Sequence, residues 1–270
     1  MALAVALGLF LVGQILADVS VAEKEIALHK DVARDYYQKG MYDKAINEYK
    51  EWLKKNPFDP EAFFELGLSY ASKGLYKEAV EEYKQALKFY PDYPEAHLRC
   101  ADAYFQLGDI EKATYAYHQV IRISPTTIEA YYKLATILNM QEKYDEAIVQ
   151  CKRAVKRDTQ YAEVYVAMGL AYYKNGDLEE AIKNCKRALE IKPELIEPHR
   201  TLGFAYADNG MHDESISELR IAVEAIPEDV EARLWLGNSL IKKGQKDEAI
   251  KEYKKIISIK PQYADAHYHL

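Results

Sequence analysis

Apolar positions recur along this chain with helical spacing in blocks of about a dozen residues, and the blocks recur every 34 residues. From Glu61 to Lys73, Phe63, Phe64, Leu66, Leu68 and Tyr70 carry the apolar pattern and predict a helix. Asp59, ahead of Pro60 and Glu61, supplies an N-cap, a first-turn proline and a carboxylate matched to the helix dipole. Gly74 can take the left-handed conformation that ends this helix. A second helix is predicted from about Tyr76 to Phe89, with Ala79, Tyr83 and Ala86 on one face, and Pro91 stops it.

The same register holds along the chain. Pro57, Pro91, Pro125, Pro193, Pro227 and Pro261 share one column, with Thr159 in the gap. Ala33, Gly67, Ala101, Ala135, Gly169, Gly203 and Gly237 form a column of small residues. Tyr49, Tyr83, Tyr117 and Tyr253 form a column of large ones, in which Cys151, Cys185 and Leu219 stand in. Gly40, Gly74, Gly108, Gly176, Gly210 and Gly244 mark the turns, broken by Glu142. Two close helices need a small residue where their backbones approach, which is the expected role of Gly67 and Ala79. A fixed period of this length means stacked units, each unable to bury its apolar face alone. The repeats begin at about Ile26, Pro60, Pro94, Ile128, Ala162, Ile196 and Val230 and fill 26–263. Residues 1–25 are an apolar leading segment, and 264–270 start an eighth repeat.

Phe63, Leu66, Gly67, Tyr70, Ala79, Tyr83, Ala86 and Pro91 resemble the motif of the tetratricopeptide repeat (TPR) family, seven times in register. The resemblance implies an all-α fold, a right-handed superhelical solenoid of antiparallel helix pairs. It also implies a concave face lined by the first helix of each pair, where partners bind. Mapped onto this chain, that groove holds Phe64 and Leu68, Leu98 and Phe105, Tyr132, Val166, Leu170 and Tyr173, Phe204, then Leu234 and Ile241. Such an apolar, aromatic face suits a peptide or amphipathic helix of another protein. Chaperone-binding members of the family grip a carboxylate with a basic and Asn-rich clamp. Lys30 and Arg34 imitate its first part, but Glu65, Leu68 and Glu95 occupy the positions that follow.

Composition narrows the function further. The net charge of −7, with both signs interleaved, argues against nucleic acid as a partner. Cys100, Cys151 and Cys185 fall in core columns and read as free thiols, since stacked helices about 8–10 Å apart exceed disulfide reach. Most of the 23 tyrosines sit in repeat columns, so packing accounts for them. His29, His97, His199 and His267 share one column and lie a repeat or more apart, too far to hold a metal together. No nucleophile elbow, P-loop, CxxC or HExxH is present. The expectation is no catalytic residue, no cofactor and no metal. The Glu column (Glu61, Glu95, Glu129, Glu163, Glu197, Glu231) lies in helical first turns, where a carboxylate matches the dipole.

The ends raise a second idea. Residues 2–17 are apolar throughout, include Leu7, Leu9, Phe10 and Leu11, and have no Lys or Arg before Lys24. Three readings stand for this segment: a cleaved secretory signal, a retained assembly helix, or a membrane anchor. In register, Val5–Ala22 falls where the second helix of a preceding repeat would lie. At the other end, Tyr253, Ile256 and Ile257 are expected to be incompletely covered, next to the short His267, Tyr268 and Leu270 segment. An apolar helix at one end and half a repeat at the other favour head-to-tail assembly into an extracellular or surface filament. The alternatives are a monomeric or membrane-anchored adaptor using the concave groove, and a substrate-recruiting subunit of a separate enzyme.

Overall fold

The computed structural model describes residues 29–269. The chain divides into two compact units after Pro125. In the first, α1 covers 29–38, followed by α2 (Tyr42–Lys55), α3 (Pro60–Ser72), α4 (Tyr76–Phe89), α5 (Pro94–Gln106) and α6 (Ile110–Ile123). The second holds α7 (Ile128–Met140), α8 (Tyr144–Val155), α9 (Ala162–Lys174), α10 (Leu178–Ile191), α11 (Glu197–Asp208), α12 (His212–Ala225), α13 (Val230–Lys242), α14 (Lys246–Ile259) and α15 (Ala264–Tyr268). Short turns fold successive helices back on each other, so each pair is antiparallel. Within unit 2, α7, α9, α11 and α13 also touch in succession. The described residues thus form the expected all-α solenoid of helix pairs.

The period sets the helix starts closely. Pro60, Pro94, Ile128, Ala162 and Val230 each open a helix, and only α11 starts one residue late, with Ile196 as its N-cap. The turn inside each repeat is closed at a left-handed residue. At Gly74, φ is +77°; its N–H bonds to the Ala71 carbonyl at 2.9 Å, and the Leu75 N–H reaches Tyr70 at 3.0 Å. Glu142 makes the same turn without being glycine: φ is +60°, with bonds from Glu142 to Asn139 at 3.1 Å and from Lys143 to Leu138 at 2.8 Å. The turn is therefore retained, and Glu142 carries the strain. Thr159 has a different effect, because α8 stops at Val155, two residues earlier in register than α4 or α10.

The small and large columns meet inside each hairpin. A methyl group on Gly67 would lie 2.5 Å from Cε1 of Tyr83, and one on Gly237 would lie 2.5 Å from Cε1 of Tyr253. Gly203 faces Leu219, and Gly169 faces the Cys185 sulfur, in the same way. The small residue thus receives a large side chain from sixteen residues further on, rather than simply letting backbones touch at Ala79. Tyr49, Tyr83, Tyr117 and Tyr253 are all buried as a result. Cys100, Cys151 and Cys185 are free and buried, and burial pushes each thiol up to about 12.

Ionic clips join one repeat to the next. Asp59 caps α3 by accepting the Glu61 and Ala62 N–H groups at 3.0 Å, and it also accepts Lys30 Nζ at 3.0 Å and Trp52 Nε1 at 2.8 Å. Five repeats later, Asp229 caps α13 through Ala232 at 2.9 Å and accepts Arg200 Nε at 2.7 Å. Trp52, odd in a column of small and aliphatic residues, thus supports a cap.

Candidate partner-binding cleft

Three first helices of unit 2 build one cleft. On α7, Tyr132, Thr136, Asn139 and Met140 recur at three- and four-residue steps and face the same way. Val166, Leu170 and Lys174 do so on α9, and Glu197, Arg200 and Thr201 on α11. Tyr144, at the start of α8, and Leu195 complete a cleft of about 470 Å³. That volume is within the range of small-ligand and peptide-anchor pockets.

Its lining is mainly apolar, and three of its charged side chains, Glu163, Lys174 and Arg200, have partners within the chain. Glu163 accepts Lys192 Nζ at 3.1 Å. Arg200 is fixed by Asp229 and Glu231, and its guanidinium lies 4.8 Å from the Phe204 ring centroid. Lys174 lies over Tyr173 at 5.5 Å, and Tyr173 in turn donates to Asp208 at 3.1 Å. Burial, then the Asp208 carboxylate, raises the Tyr173 phenol, so it stays protonated.

Asn139 differs from its surroundings. It is only 9% exposed, and its Nδ2 donates to the Ala167 carbonyl at 2.9 Å, bracing α7 against α9. That bond fixes the amide orientation and leaves Oδ1 buried with no hydrogen-bond partner. A buried acceptor left unpaired costs about 1–3 kcal/mol.

The expected groove residues divide into three groups. Tyr132, Val166 and Leu170 line this cleft. Leu98 and Phe204 are core instead, at 5% and 2% exposed. Phe204 contacts Tyr173 and Trp235 at 6.0 and 5.2 Å, and Leu234 packs on the same cluster. Phe64 and Leu68 pack around Tyr83 and Cys100 in unit 1, Phe105 is half-buried, and Ile241 is exposed. Lys30 and Arg34, the partial clamp, are engaged by Asp59, Glu61 and Glu65.

The assembly residues divide as well. Tyr253 and Ile256 are completely buried, contrary to the expectation of an uncovered end. Tyr253 fills the space opposite Gly237, and the His269 ring lies 5.2 Å from it. Ile257 packs on the same core. His267 bonds to the Pro261 carbonyl at 2.8 Å, and Tyr268 is exposed. Leu7, Leu9, Phe10, Leu11 and Leu270 lie outside the described residues.

Sequence reading passed over Asn139 and Arg200. Asn139 shares a column with Tyr37, Ala71, Phe105, Tyr173, Ala207 and Ile241 and is its one amide, a visible signal. Arg200 interrupts a column that otherwise runs Phe64, Leu98, Tyr132, Val166 and Leu234 after Lys30.

Among solved structures, the chain is similar to the crystal structure of MamA protein, at 28% identity and a TM-score of 0.58, over 63% of this chain and 92% of that one. A tetratricopeptide repeat protein from Parabacteroides merdae shares the fold at 17% identity and a TM-score of 0.68, over 91% and 97%. YrrB, a TPR protein with an unusual peptide-binding site, shares it at 21% identity and a TM-score of 0.57, over 70% and 97%. No curated protein matches the chain. Residues 237–270 match the TPR repeat model. Residues 12–229 match the model of the Cilia and flagella-associated protein 70 C-terminal domain, and the chain belongs to this tetratricopeptide-repeat family.

Proposed function

We propose that this protein is a non-enzymatic scaffold that binds a partner protein, and that the α7–α9–α11 cleft holds an apolar, extended segment of that partner. The TPR fold itself implies protein–protein interaction. The observation that carries the finer reading is the apolar run of Tyr132, Val166 and Leu170 along a cleft of about 470 Å³. An extended peptide can lay apolar side chains along such a face. Its side chains would replace water along Tyr132, Val166 and Leu170. YrrB, at the level of fold alone, illustrates that a TPR array can present a peptide site.

Selection of a displayed peptide library on the immobilised full chain tests this. Wild type should enrich apolar peptides, and Leu170→Glu should weaken the selected peptides at least tenfold while the helical spectrum is unchanged. Equal binding by Leu170→Glu removes the cleft as the site. Head-to-tail assembly would draw on residues 2–17 and the exposed Tyr268, because Tyr253 and Ile256 are buried. Light scattering at several protein concentrations tests it separately.

A further inference from the structure

Tyr83 lacks the hydrogen-bond partner that its column provides elsewhere. Tyr117 donates to Asp102 Oδ1 at 2.7 Å, and Tyr253 donates to Asn238 Oδ1 at 2.9 Å, each partner standing fifteen residues back in the chain. Tyr49 interacts with the Glu65 carboxylate instead. Fifteen residues before Tyr83 stands Leu68, which has no acceptor to offer. The Tyr83 hydroxyl accordingly makes no hydrogen bond among the described residues, although its side chain is completely buried. Burial raises the phenol, so it stays a donor. A buried donor left unpaired costs free energy that an arriving acceptor recovers.

A cavity of about 250 Å³ opens at this point, between α3, the start of α4 and α5. Leu68, Ala71 and Ala103 give it apolar walls, and the buried Tyr83 forms its floor. Ser72 and Gln106, both exposed, stand at the rim. Arg99 and Asp102 also line it, but they pair with each other at 2.8 Å, so together they bring no net charge. The space is smaller than a pocket for a whole small-molecule ligand and suits one inserted side chain. A carboxylate there would be buried beside a cation already paired, and an aliphatic side chain would leave Tyr83 unsatisfied. A side-chain amide on an apolar stem meets both demands. We propose that this cavity receives the side-chain amide of a glutamine from a partner protein, its carbonyl accepting from the Tyr83 hydroxyl and its methylenes lying against Leu68, Ala71 and Ala103. The site lies wholly in unit 1. It rests on the chain binding a protein partner, not on the α7–α9–α11 cleft.

The test titrates the full chain with N-acetylglutamine methylamide and follows the ring signals of isotope-labelled tyrosine by NMR. The signal lost in Tyr83→Phe assigns Tyr83. The expected result is a saturable shift of the Tyr83 signal, with the leucine and glutamate analogues of the probe binding at least about tenfold more weakly, the worth of one hydrogen bond. Tyr83→Phe keeps the ring that packs on Gly67 and should also lose about tenfold in affinity, read from the Tyr76 ring in the same cavity. Leu68→Asn supplies the acceptor found at Asn238 and should abolish the response; Tyr83→Phe decides if that variant does not fold. Leu170→Glu, in the unit 2 cleft, should leave the response unchanged, which separates the two sites. The proposal is overturned if the Tyr83 signal does not shift, if the leucine probe binds as tightly as the glutamine one, if Tyr83→Phe binds with unchanged affinity, or if Leu170→Glu abolishes the shift.

Discussion

Asp229 accepts Arg200 Nε at 2.7 Å through one carboxylate oxygen and the Ala232 N–H at 2.9 Å through the other. One side chain therefore starts α13 and ties it to α11. Asp229→Ala removes the cap, worth about 1 kcal/mol, and leaves Arg200 short of a partner. A total loss of about 1–3 kcal/mol is expected in urea unfolding. Asp229→Asn keeps a capping oxygen and should lose less. Equal losses for the two variants would mean the charge, not the cap, dominates.

The Asp59 clip predicts pH dependence. Burial alone would raise this carboxyl, but hydrogen bonds from Lys30, the Ala62 N–H and Trp52 outweigh it and hold the carboxyl below its ordinary value. A depressed folded value means stability present above the unfolded value of about 3.9 and lost as pH falls through the folded one. Asp59→Asn should flatten that part of the acid limb in thermal melts between pH 5 and about 2. An unchanged limb would remove Asp59 as a contributor.

Glu142 holds φ at +60° where six other turns use glycine. Glu142→Gly should stabilise the chain by up to about 1 kcal/mol, since the strain of a side chain there exceeds the added freedom of the unfolded state. Chemical denaturation reads the sign, and a destabilised variant would show that the Glu142 side chain makes a compensating contact.

Gly67 presents the opposite case. Its added methyl would stand 2.5 Å and 2.7 Å from two carbons of the Tyr83 ring. That ring is fully buried and would have to shift, as the Tyr49 and Tyr117 rings must already do opposite Ala33 and Ala101, so Gly67→Ala should cost about 1–3 kcal/mol. A cost below a few tenths of that range would mean the hairpin opens freely.

The buried thiols should resist chemistry. With each raised to about 12, Cys100, Cys151 and Cys185 should remain unalkylated at pH 8 in the folded chain and react fully in denaturant. Mass spectrometry of the quenched reaction decides, and rapid labelling of any one under native conditions would show local opening there.

The period made the helices, their starts and their turns readable, because Pro60, Gly74 and Pro91 act locally. It also marked the Gly67 and Tyr83 columns, though not that one receives the other. What stayed hidden depends on contacts across repeats. Phe204 looks like a groove residue along one helix and becomes core once Tyr173 and Trp235 of the neighbouring first helices pack on it. Asn139 was readable only as the odd member of its column, since the pattern that announces a repeat hides its exceptions.

The size match between Gly67 and Tyr83, or Gly237 and Tyr253, is closed within one hairpin, whereas Lys30–Asp59 and Arg200–Asp229 cross from one hairpin to the next. The chain can therefore gain or lose a whole 34-residue unit and disturb only one junction. Exchanging a single helix between units would instead mismatch a cavity and its filler. In this protein the hairpin, rather than the helix, is the smallest piece that can be moved without being redesigned.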